Sequence, residues 1–190
     1  MGNSEEVVSE AGQSLMDAFA SYYAGVIECQ PVESWELDLV GVGSGGNGNL
    51  SPCTRAFREV DGWRMFLLLS PYRLVRILVP PQDHADTAEW LRMVRSHGAS
   101  GLGPLVSIVV NQGQRKAHVQ FHDHLGLHFL EPLVLNVAGF INNDAVFLAH
   151  EKIIETRDAI MARTGRVCST QTEISRRELF SPFARIVRHQ

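Results

Sequence analysis

Residues 63–79 read WRMFLLLSPYRLVRILV, two strongly apolar runs held apart by Ser70-Pro71. A proline cannot donate to a sheet ladder, so this pair divides the run into two strands with a turn between them. Both runs are apolar almost throughout instead of alternating, so both of their faces need covering, which predicts a hairpin at the centre of a sheet. Pro80-Pro81 ends it.

Working towards the C-terminus, 83–96 predicts a short helix with Ala88, Leu91, Met93 and Val94 inward, Arg92 and Arg95 outward, and Gly98 closing it. Leu105 to Val110 and Ala117 to Phe121 predict a second hairpin around Gln112-Gly113, and Leu133 to Phe140 a further strand. Asn142-Asn143-Asp144 then caps a helix whose stripe is Val146, Phe147, Ala149, Ile153, Ile154, Ile160 and Met161, with Gly165 ending it.

Working towards the N-terminus, Val7, Val8, Ala11, Leu15, Phe19, Tyr22 and Val26 recur at steps of three and four, the pattern of an amphipathic helix over 4–27. Trp35, Leu37 and Leu39 alternate with Glu36 and Asp38, as in a strand with one wet face through Val42. The stretch 43–49, GSGGNGN, reads as a flexible connection. A phosphate loop would need a following helix and usually a lysine, whereas Leu50-Ser51-Pro52 follows here. The whole predicts an α+β fold, a central antiparallel sheet of hairpins packed by an N-terminal and a late helix. It forms one domain over 1–165, followed by a polar linker and a basic, mobile tail over 166–190.

Composition agrees with a single domain: 190 residues and 21.1 kDa, 45% hydrophobic and 20% charged. The net charge of −4 is unevenly spread. Residues 1–54 hold eight acids and no Lys or Arg, while 55–190 hold seventeen basic and thirteen acidic residues. That balance disfavours nucleic-acid binding through a broad basic surface. Three scattered cysteines without a CxxC pair fit a reducing cytoplasm, and neither a signal peptide nor a membrane-spanning run is expected.

The local candidate for chemistry is His118, His122, His124 and His128, four of the eight histidines within eleven residues. Their even numbering would put all four on one face of a continuous strand, with Val119, Phe121, Leu125, Leu127 and Phe129 on the other. Imidazoles two apart on a strand can chelate one ion, and Glu131 is near enough in sequence to add an oxygen ligand. Gly113, His122-x-His124, Glu131 and Gly139 resemble the first motif of the cupin family. That resemblance implies a metal-dependent enzyme of the oxygenase or isomerase class holding nickel, iron or zinc. The spacing departs from the cupin pattern: eight residues precede the first histidine and six separate the HxH pair from Glu131. The plainer account is a sheet whose wet face happens to carry histidine among Gln120 and Asp123. No GxSxG, HExxH or Walker pattern occurs, and Cys53, beside Pro52 and near Arg55, has no local signature of a nucleophile.

A second resemblance covers more of the chain. Leu15-Met16-Asp17-Ala18-Phe19, the strand through Trp35 to Val42, Gly62-Trp63 leading to Ser70-Pro71-Tyr72, and Pro80-Pro81 resemble the HybE/HupJ family of maturation chaperones for nickel-iron hydrogenases. The late helix and Ser175-Arg176-Arg177-Glu178-Leu179-Phe180 are similar as well, so that the likeness spans 14–81 and 145–181. It implies a cytoplasmic, non-enzymatic protein without a cofactor that binds a hydrogenase subunit precursor. Trp63, Pro71, Tyr72, Arg176 and Arg177 are the client-binding candidates under that resemblance. The histidine-rich middle, 82–140, departs from the family pattern.

Overall fold

A computed structural model describes residues 8–29, 46–97, 103–134 and 136–164. The expected strand from Trp35 to Val42, the first three residues of the glycine-rich stretch and the tail with Arg176 and Arg177 lie outside them. In chain order the elements are α1 (Glu10–Cys29), β1 (Cys53–Val60), β2 (Trp63–Leu69), β3 (Leu74–Val79), α2 (Thr87–His97), β4 (Leu105–Val110), β5 (Gly113–His122), β6 (Gly126–Val134) and α3 (Asn143–Thr164). The six strands form one antiparallel sheet in the order β1-β2-β3-β6-β5-β4. The fold is α+β, and the 63–79 hairpin lies inside the sheet as its composition requires.

The hairpin turns follow local chemistry. Asp61 and Gly62, with φ of 51° and 75°, join β1 to β2 in the left-handed conformation that a two-residue turn demands. Asn111 and Gln112, at 51° and 59°, do the same between β4 and β5. Between β2 and β3 the backbone N–H of Ser70 donates to the carbonyl of Arg73 at 3.0 Å, closing the turn that carries Pro71 and Tyr72. Just ahead of β4 the chain passes so close to β5 that a Cβ on Gly103 would stand 2.2 Å from the Val119 carbonyl oxygen. Only glycine fits there.

Both faces of the sheet are covered. On one, α1 lies across it, packing Met16 and Phe19 on Phe66, Leu68, Val75, Ile77, Val79 and Leu130. Phe19 meets Phe66 edge to face at 5.2 Å, and burying each such ring is worth roughly 2 kcal/mol. The other face carries two clusters. Under α2, Trp63, Trp90 and Phe129 pack with Leu78, Ile108, Val110, Ala117 and Val119. At the opposite end, the start of α3 brings Val146 and Phe147 onto Leu50, Leu69, Leu74 and Val137.

Several expectations need correction. The inward face of α2 is set by Trp90, with Met93 and Val94 partly buried beside it, while Ala88 is exposed. The expected strand from Leu133 to Phe140 ends at Val134, and 137–140 is a turn in which the Phe140 N–H donates to the Val137 carbonyl at 3.2 Å. In the glycine-rich stretch, the described part is no loose connection. Asn47 is buried, its side-chain amide donates to the carbonyls of Val137 and Phe140 at 2.9 and 2.7 Å, and its backbone N–H donates to Pro71 at 2.9 Å.

Candidate functional site

The histidine-rich segment forms two strands. The chain reverses through Asp123, His124 and Leu125, so that Gln120 pairs with His128 and His122 with Gly126 across β5 and β6. Even-numbered positions still share a face, which is the one under α1. Leu125 leaves the expected pattern: it belongs to the α1 core, because it lies in the turn and no longer obeys strand alternation.

Three of the four histidines there already have a local task. His118 donates from Nδ1 to the Gly103 carbonyl at 2.9 Å, tying β5 to the entry of β4. His122 Nε2 and the Tyr22 hydroxyl are hydrogen-bonded, joining α1 to the β5–β6 hairpin. Burial holds the His122 imidazole below its ordinary pKa and pushes the Tyr22 phenol up, so the contact is between neutral groups. His128 is fully buried, with Nδ1–H donating to the Gly126 carbonyl at 3.0 Å and its ring edge-on to Phe19 at 5.0 Å. Its Nε2 has no partner, and burial lowers its pKa to about 4. It is a neutral core histidine. His124 sits exposed in the turn.

Glu131 points the other way. It follows the odd-numbered face of β6 with Phe129, opposite the histidines, because successive side chains of a strand alternate. There it accepts from Arg76 on β3 at 2.6 Å and from Arg115 on β5 at 3.2 Å. The five sequence candidates therefore do not fit one ligand shell: the carboxylate is across the sheet and three of the four imidazoles are engaged with protein partners. Among the described residues no group of three or more His, Cys, Asp or Glu is placed to hold a metal ion. Beside the Arg76–Glu131–Arg115 cluster, the buried His150 of α3 also titrates low, first through burial and then through the Arg76 charge. Cys53 lies against the Asn143 side chain at 3.1 Å, and burial raises its thiol pKa despite the nearby Arg55. That is the reverse of nucleophile activation.

The client-binding candidates separate likewise. Trp63 is 3% exposed and is packed against Trp90, Phe129 and His84, so its ring is core. Pro71 and Tyr72 are half-buried on a surface turn braced by Gly46, where a Cβ would stand 2.9 Å from the Tyr72 ring. At that same end of the sheet stands the feature that periodicity alone did not disclose. Among the described residues it is the first turns of α3 that join the core, through Val146 and Phe147, while Leu148 and Ile153 are 54% and 58% exposed. Lys152, Ile153, Thr156, Arg157, Ile160 and Met161 line a shallow, open groove along the outer half of the helix.

Compared with protein-family models, curated proteins and solved structures, the chain finds no match. Among the described residues no helix is long and apolar enough to cross a membrane.

Proposed function

We propose that this protein is a non-enzymatic accessory chaperone that binds the precursor of a nickel-iron hydrogenase subunit in the cytoplasm. The observation that carries the reading is the exposure of Leu148 and Ile153 on α3, two large apolar side chains that stand outside the described hydrophobic clusters. Exposed apolar surface rimmed by charge is what a client-binding face requires. Pro71 and Tyr72, the surface part of the motif that resembles the HybE/HupJ family, stand at the same end of the sheet, where Leu69 and Leu74 join the α3 cluster. The family resemblance supplies the class of client; the exposed helix supplies a place for it.

The test is retention of a purified hydrogenase subunit precursor on the immobilised full-length chain. Binding is expected for the wild type and at least tenfold weaker for Ile153→Glu, while thermal stability is unchanged because Ile153 lies outside the core. No retention by the wild type, or equal retention by the variant, would overturn the reading. Expected salt sensitivity follows if the acidic N-terminal third attracts a basic client segment.

A further inference from the structure

The two edges of the sheet are unlike. Edge strand β1 carries the exposed charges Arg55, Arg58 and Glu59, and a bulge between Arg55 and Arg58 where Ala56 adopts a φ of 57°. Charges and bulges are the usual devices that stop an edge from pairing with another chain. Edge strand β4, LVSIVV, has none of them: no charge, no bulge and an unbroken register with β5 from Leu105 to Val110.

The direction of its free backbone groups is fixed. Val119 N–H donates to the Pro104 carbonyl at 3.0 Å, and Leu105 stands opposite His118. In an antiparallel ladder hydrogen-bonded and non-bonded pairs alternate, so Val106, Ile108 and Val110 bond inward to β5. Leu105, Ser107 and Val109 therefore turn their N–H and C=O groups away from β5, to a side where no described strand pairs with them. The side chains of Leu105 and Val109 are 57% and 64% exposed.

We infer that β4 is a self-pairing edge: its occupant is the β4 of a second copy, joined antiparallel about a two-fold axis through Ser107 to make a twelve-stranded sheet. The register follows from parity. Side chains directly opposite each other lie on one face, and outward-bonding residues must meet outward-bonding residues. With Ser107 opposite its own counterpart, Leu105 meets Val109 and Val109 meets Leu105. All three outward-facing residues of each copy then pair, and the exposed Leu and Val side chains cover each other. Such an interface is isologous and closed, so it stops at two. A six-residue edge is smaller than a standard protein interface, so a weak dimer that depends on concentration is expected.

Sedimentation velocity on the full chain, from about 10 µM to about 1 mM, tests this. The wild type is expected to move from monomer to dimer across that range. Ser107→Pro removes an outward N–H without touching the bonds to β5, and should remain monomeric. Val109→Lys should raise the dissociation constant at least tenfold, and it decides the matter if the proline variant does not fold. Arg58→Ala on the other edge should change nothing. Amide exchange adds a readout: the Ser107 N–H should slow as concentration rises, while Ile108 stays slow throughout. A wild type that is monomeric at the highest concentration overturns the inference. So does a dimer that survives both β4 substitutions, the result expected if copies met through α3 instead.

Discussion

The described chain after α1 forms two similar halves with different ends. Each half is a three-stranded meander followed by a helix, β1-β2-β3-α2 and β4-β5-β6-α3, and the halves join where β3 pairs with β6. Both helices return to the same face of the sheet. The first is 11 residues long and closes its half with Trp90, whereas the second runs for 22 and gives the core Val146, Phe147 and His150 from its beginning. One architecture thus serves two purposes: a lid in the first half and a lever of exposed apolar residues in the second. Helix length beyond the width of the sheet makes the difference.

The largest expected effect lies under the lid. Trp90→Ala should cost about 3–5 kcal/mol in urea unfolding, because it empties the space among Trp63, Phe129 and His84. Ile153→Ala on the other helix should stay within about 0.5 kcal/mol. Similar losses at the two positions would erase the contrast between lid and lever.

His128 sharpens the comparison from the second half. Its native pKa is about 4 against an ordinary 6.5. As pH falls below the ordinary value the unfolded chain takes up a proton that the native state refuses until about pH 4, so stability is lost across that window. The loss should be on the order of 3 kcal/mol. Denaturation of wild type and His128→Leu at neutral pH and near pH 4 checks this; the variant should lose markedly less on acidification. An equal acid loss in both would mean that His122 and His150, which shift in the same direction, carry the effect.

A smaller effect belongs to the joint between the halves. Glu131→Gln leaves Arg76 and Arg115 facing each other without their shared anion. The three side chains are 21%, 29% and 15% exposed for Arg76, Arg115 and Glu131, so solvent screens part of the loss. About 1–2 kcal/mol is expected, read as a shift in the denaturation midpoint. A midpoint that does not move would assign the joint to its apolar pairs, Ile77 with Leu130 and Leu78 with Phe129.

What was legible in the sequence was legible for local reasons. The 63–79 hairpin announces itself through two apolar runs and a Ser-Pro break, and β4 with β5 through two strand-like runs around Gln112-Gly113. Strand β1 did not, because a bulged edge with paired Arg and Glu positions has no period of two; its signal was Asp61-Gly62, a two-residue hairpin turn in front of Trp63. The histidines kept their parity although the chain reversed among them, since Gly126 restarts β6 opposite His122. Glu131 fell on the other side by the same rule of alternation. The stripe on α3 told which side of the helix is apolar, but periodicity carries no information about whether anything covers it. Asn47 was hidden in a run of glycines, and its role comes from carbonyls ninety residues away that no local pattern reports.

The pairing of β3 with β6 also has a consequence in time. Turns inside each meander close over a few residues, but Arg76 and Glu131 are 55 positions apart, and closing so long a loop costs more chain entropy than closing a hairpin. Domains emerge from the ribosome N-terminus first. During synthesis the first meander therefore stands finished before β6 exists, with β3 as a temporary border made of LVRILV. Until Val134 has emerged, this strongly apolar strand has one side unpaired, at a place the finished sheet closes with β6.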